Sequence, residues 1–200
     1  MIASLASLVL FCFVMSATPG PNNMMVMASG ARYGVRRTLP HMLGVAVGFP
    51  LMLVLTGAGF GALILASPVV HGTLESLAVG FVLWIAWRIA TAGAPHEMTE
   101  KSGRPLNFFQ AALFQWINPK AWAIAFVAVA LYAEGHGTFW ASLALIAAVF
   151  LLACLISLAG WAALGRGAGR LLRTERQFRL FNGAMAALLL IAMIPLAWGG

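Results

Sequence analysis

Along the chain, apolar residues run in long blocks that are free of charge. Residues 1–31 carry none, and the next block runs from Thr38 to Leu74, with a turn expected at Ser67-Pro68. A third block runs from about His71 to Ala92, with Glu75 near one end and Arg88 near the other. Residues 105–133 (interrupted only by Lys120), 137–165 and 180–200 complete the series. A bilayer core takes about 20 apolar residues per helix, so the pattern predicts six membrane-spanning helices. Six spans leave no room for a soluble domain, and residues 1–200 are expected to form one transmembrane domain.

The cations interrupt this pattern with a regularity of their own. Every Lys and Arg except Lys120 falls in one of three alternate loops. Arg32, Arg36 and Arg37 lie in the first, Arg88, Lys101 and Arg104 at or within the second, and Arg166, Arg170, Arg173, Arg176 and Arg179 in the third. The intervening turns hold Glu75, Glu134, His71 and His136 but neither Lys nor Arg. Cytoplasmic loops carry the excess of Lys and Arg, which places these three loops in the cytoplasm and both termini outside. No Lys or Arg precedes Arg32, so the basic start of a signal peptide is missing and the first block reads as a retained span. The arginines of the third loop also repeat at helical spacing. That fits an interfacial helix on the anionic leaflet, or simple topology anchors.

Two blocks are long and break in the middle, the first at Thr18-Pro19-Gly20-Pro21-Asn22-Asn23 and the fourth at Asn118-Pro119-Lys120. Proline removes an amide donor and clashes with the preceding turn, so both helices should be discontinuous and their breaks should meet near the bilayer midplane. Pro19 and Pro119 each open a set of three spans. Three is odd, so residues 101–200 should cross the membrane in the opposite sense to residues 1–100, as two inverted three-helix repeats. Discontinuous helices at matching places in two such halves build the substrate site of many transporters. A pair of simple kinks is the plainer account, and Pro50 and Pro195 read that way. The polar residues beside the paired breaks favour a site instead, because a kink needs none.

Lys120 is the one cation predicted at that depth, where a charge costs at least about 2.5–3.5 kcal/mol. The chain has no Asp, and each Glu lies near a span end or in a loop. Lys120 can therefore pin the two halves together through carbonyls freed by the breaks, or meet a substrate carboxylate beside the half-helix amides. A zwitterionic substrate would place its carboxylate at Lys120, Asn22 and Asn23. Its ammonium would meet carbonyls near Ala17, Thr18 and Ile117, helped by the Thr18 hydroxyl and the Asn118 amide. Lys120 is also a candidate proton carrier.

Composition agrees with the blocks. Apolar residues make up 62% of the chain and charged residues 8%, against roughly a quarter charged in soluble domains. The formal charge of +7 is explained by topology, which removes nucleic acid as a partner and leaves membrane lipid. Two cysteines imply no disulfide framework.

At these residues the chain resembles the lysine-exporter (LysE/RhtB) family of bacterial amino-acid exporters. Thr18-Pro19-Gly20-Pro21-Asn22 and Asn118-Pro119-Lys120-Ala121 carry the resemblance, with Gly30 through Arg37, Pro40-His41 and Gly80 through Ala90 in support. Gln115-Trp116-Ile117 looks like the subgroup that includes cysteine and O-acetylserine exporters. The resemblance implies a transporter rather than an enzyme, with no cofactor, an amino-acid substrate and a proton as counter-ion. It places the site at Thr18, Pro19, Gly20, Asn22, Asn23, Asn118 and Lys120. Many members carry Asp where this chain has Asn22, which leaves open whether proton coupling uses that position.

Relatives of wider kinship suggest two rivals. A thiol–disulfide carrier needs paired cysteines, and Cys12 and Cys154 do not occupy equivalent places in the two repeats, so they read as inert buried thiols. A metal exporter needs clustered ligands at depth, whereas His41, His71, His96 and His136 fall at span ends or in loops; no metal site is expected. A third rival, a membrane subunit without substrate, would use the small-residue faces Gly44 through Gly48 and Gly57 through Gly61 to meet partners, a homo-oligomer included. Those faces serve packing within one chain equally well.

Overall fold

The structure, a computed structural model, describes residues 5–60, 68–91, 104–133, 138–172 and 174–191. Ser67, His96, Lys101, Glu134, His136, Arg173 and Pro195, which bear on the expectations above, lie outside them. The described residues are mostly helical, with no strand among them. The helices are α1 (Leu5–Ala17), α2 (Pro21–Tyr33), α3 (Val35–Leu55), α4 (Pro68–Ala90), α5 (Phe108–Ile117), α6 (Pro119–Tyr132), α7 (Phe139–Leu171) and α8 (Glu175–Ile191). A π-helical turn, Thr56–Phe60, extends α3 and contains Gly59 at φ 98°.

Both expected breaks are present. Helices α1 and α2 meet at a bend of 57°, and Asn118, in extended conformation, separates α5 from α6. Pro21 and Pro119 each occupy the first position of the helix that follows, where the missing N–H would have had no partner in any case. Pro40 and Pro50 sit inside α3 without ending it. By length and apolarity, α3 with its π turn, α7 and the bent pair α1–α2 each qualify as a span.

Helix α7 is the axis of the bundle and packs on α1, α2 and α3; α3 also packs on α5, and α4 on α8. Its 33 residues reach about 50 Å, well beyond a hydrocarbon core of about 30 Å. The extra length carries Arg166 and Arg170 out of the apolar block. A capping box at Thr174 and Gln177 then starts α8 with Arg176 and Arg179. The third group of arginines is thus split between two helices, and the single interfacial helix allowed by its spacing does not form. The basic loops do collect at one end: Arg32, Arg88 and Arg104 border one cavity, and Gly169, beside Arg170, touches Ala31.

The interior holds Leu8, Met24, Met52, Leu53, Phe114, Leu143, Ile146 and Phe150, all fully buried. Apolar side chains equally cover the outside, among them Leu10, Phe109, Leu113, Trp140, Ile156 and Leu180. Exposed apolar surface on this scale suits lipid, not water. Helices in lipid gain from close packing of small residues, and two crossings are built that way. On α2 and α7, a Cβ at Gly30 would lie 2.3 Å from the Ala162 carbonyl oxygen, and one at Gly165 2.0 Å from that of Met27. On α3 and α5, a Cβ at Gly44 would lie 2.3 Å from the Phe108 oxygen, and one at Gly48 2.6 Å from Ala112 Cα. These crossings absorb Gly44 and Gly48 into the fold of one chain.

Candidate functional site

The two breaks meet. Lys120, in the first turn of α6, donates from Nζ to the Thr18 carbonyl at 2.6 Å and to the Pro19 carbonyl at 3.4 Å. Its stem crosses Gly20, where a Cβ would lie 2.8 Å from Lys120 Cδ, so a side chain there would displace the lysine. Lys120 therefore adopts the pinning arrangement, holding the fourth segment to the unwound part of the first.

The other carbonyls released by the first break have donors as well. Asn23 Nδ2 donates to Ser16 O at 2.9 Å and Thr18 O at 2.8 Å. Ser157 Oγ donates to Ser16 O at 2.8 Å, and Trp161 Nε1 to Ala17 O at 3.2 Å. A buried carbonyl left without a donor costs about 1–3 kcal/mol, so irregular backbone at this point needs such a shell. Replacing Asn23 with leucine removes two of these bonds while Lys120 and Ser157 keep one each. The expected result is a stability loss of about 1–2 kcal/mol, read as a lower Tm in detergent; an unchanged Tm would show that the remaining donors suffice.

A cavity opens beside the breaks, lined by residues from both of them. Of the expected site residues, Gly20, Asn22, Asn23, Asn118 and Lys120 line it. Thr18 and Pro19 are exposed and stand outside this lining; the Thr18 hydroxyl donates back to Val14 O at 2.5 Å. The Ala17 carbonyl, expected to face an ammonium, is taken by Trp161. Asn118 is 2% exposed and its Oδ1 has no hydrogen-bond partner, which leaves a buried acceptor on a residue that lines the cavity. Phe49, Ile124, Phe150 and Leu158 supply apolar wall, with Phe49 edge-on to Phe150 at 5.0 Å.

Three participants were not identified from sequence. Gln115, fully buried, exchanges amide hydrogen bonds with Asn22 and so ties the two breaks a second time, at 2.9 and 3.4 Å. Its signals were its position just before the second break and its place in the Gln115-Trp116-Ile117 stretch. Ser16 and Cys154 both line the cavity, their Oγ and Sγ 3.5 Å apart. Cys12 and Cys154 are both buried and free.

An apolar helical bundle with two broken helices closing on a cavity that holds Lys120 and four amide side chains has the build of a polytopic membrane transporter. The chain belongs to the LysE type translocator family, whose model matches residues 13–198, and its long apolar helices are those of a multi-pass membrane protein. It is similar to the cysteine/O-acetylserine efflux proteins of Escherichia coli (strain K12) and Salmonella typhi, with 28% identity over 111 residues in each comparison. That match spans about half of each partner, 55% of this chain and 55% of the relative. No solved structure matches the chain.

Proposed function

We propose that the protein exports amino acids or small amino-acid derivatives across the bacterial inner membrane by alternating access at the cavity between the two breaks. The observation that carries this reading is the contact of Lys120 with the Thr18 and Pro19 carbonyls. A cation held only by neutral carbonyls is poised to exchange them for a carboxylate, which binds it more strongly. The carbonyls it releases, with Asn118 Oδ1, then accept from the substrate ammonium. One zwitterion thus replaces the internal pin without stranding a buried polar group, and the first and fourth segments come free of each other.

The remaining parts of the reading follow from the pairing of elements. Exchanging residues 1–100 with 101–200 maps the α3–α7 and α4–α8 contacts onto themselves, and the packing of α1 and α2 on α7 onto that of α5 and α6 on α3. This supports six spans in two inverted repeats, rocking against each other about the site. The gathering of Arg32, Arg88 and Arg104 at one end supports a cytoplasmic face there, with both termini periplasmic. Lys120 is the one cationic group among the described residues that line the cavity and is the proposed proton carrier. The relatives' name suggests cysteine and O-acetylserine as the first substrates to test.

The test is efflux from proteoliposomes loaded with single labelled amino acids, these two included. At least one should leave faster than from protein-free vesicles, and the same compound lacking its amine or its carboxylate should compete poorly. If none of a broad panel moves, or if both truncated compounds compete as well as the parent, the proposal fails.

A further inference from the structure

A second cavity lies at the basic end of the bundle. Five elements converge on it: Ser29 and Arg32 from α2, His41 from α3, Arg88 from α4, Arg104 from the approach to α5, and Asn182 from α8. Topology control alone needs cations only near the membrane surface. It does not need a polar floor, yet His41, Asn182 and Ser29 are 2%, 4% and 7% exposed. His41 Nε2 is buried without a hydrogen-bond partner, which would cost about 1–3 kcal/mol were nothing to bind there. Arg88 is braced, its guanidinium 5.0 Å from the Trp84 ring. No Asp or Glu is among the described residues that line the cavity.

We infer that this cavity is an oxyanion-binding site, separate from the cavity at the breaks, that takes a carboxylate or phosphate group. Arginine forks match both groups with paired hydrogen bonds, and His41 donates from Nε2 in the tautomer that carries its proton there. The oxyanion can belong to a small solute arriving from the basic side or to the headgroup of an anionic lipid. Basic pockets between membrane helices on the cytoplasmic side accept such headgroups. The site stands whether or not the proposed export reading does.

The experiment is a thermal-shift titration of the full chain in uncharged detergent, in the wild type and in Lys120→Met, so that carboxylate bound at the breaks drops out. The probes are N-acetylglycine, inorganic phosphate, dihexanoyl-phosphatidylglycerol and, as a neutral headgroup control, dihexanoyl-phosphatidylcholine, all at equal ionic strength. A saturable rise in Tm that persists in Lys120→Met, and whose midpoint shifts at least about tenfold in Arg88→Gln/Arg104→Gln, supports the site. Response to N-acetylglycine or phosphate marks a soluble source; response to phosphatidylglycerol alone marks lipid. Arg104→Gln, at an exposed position, serves if the double variant does not fold. No saturable shift with any anion, an equal response to phosphatidylcholine, or an unshifted midpoint in the arginine variants would overturn the inference.

Discussion

Replacing Lys120 with methionine is expected to lower efflux by roughly 30-fold or more, because losing one partner of a desolvated charge pair costs about 2–5 kcal/mol. Methionine keeps most of the stem that crosses Gly20 but offers nothing to a carboxylate. Folding should suffer little. Thr18 O retains Asn23, and removing a charge from the interior relieves an insertion penalty of about 2.5–3.5 kcal/mol. The variant should therefore reach the membrane at normal levels and fail in transport, a separation that a purely structural strut does not produce. Arginine should not rescue it, since its larger head has to fit where a Cβ on Gly20 already lies 2.8 Å from the lysine stem. Efflux at the wild-type rate from a membrane-inserted Lys120→Met protein would remove this residue from the site.

The second large effect belongs to Gly165. An added Cβ would sit 2.0 Å from the Met27 carbonyl oxygen and 3.0 Å from the Ala31 amide nitrogen, and backbone cannot swing aside as a flexible side chain can. Gly165→Ala is therefore expected to push α2 and α7 apart at a cost of about 3 kcal/mol or more. That outweighs the gain of up to about 1 kcal/mol that alanine brings to a helix interior. Gly167, two residues further on, supplies the control: nothing lies within 4 Å of its Cβ position, so Gly167→Ala should hold or slightly raise the Tm. Thermal unfolding with size-exclusion chromatography compares the two. Equal melting temperatures would mean that the crossing is looser than its geometry states.

What was legible from the residues divides along a physical line. Chain-local chemistry was readable: Pro19 and Pro119 announce their breaks because a missing donor acts on the same turn. Lys120 announces itself because a charge in an apolar block needs a reason. Pairings across the bundle were not readable. Gln115 meets Asn22, Ser157 meets Ser16 and Trp161 meets Ala17 only once α1, α2, α5 and α7 are packed, and nothing local to these residues marks a partner. The third arginine group shows the same limit, since its even spacing is cut by the cap at Thr174. His41 looked ordinary at a span end; its burial and unpartnered nitrogen depend on four neighbouring segments.

The glycine crossings have a mechanical consequence. Gly30, Gly165 and Gly169 on one crossing, and Gly44 and Gly48 on the other, lie where residues of the first half of the chain rest on residues of the second. Backbone meets backbone there. In the proposed rocking motion such a surface would act as a plain bearing, letting the halves shear without rotamers having to be unthreaded one by one. The pins at Lys120 and Gln115 would then set most of the friction in that motion, so the proposed cycle would be paced from its centre.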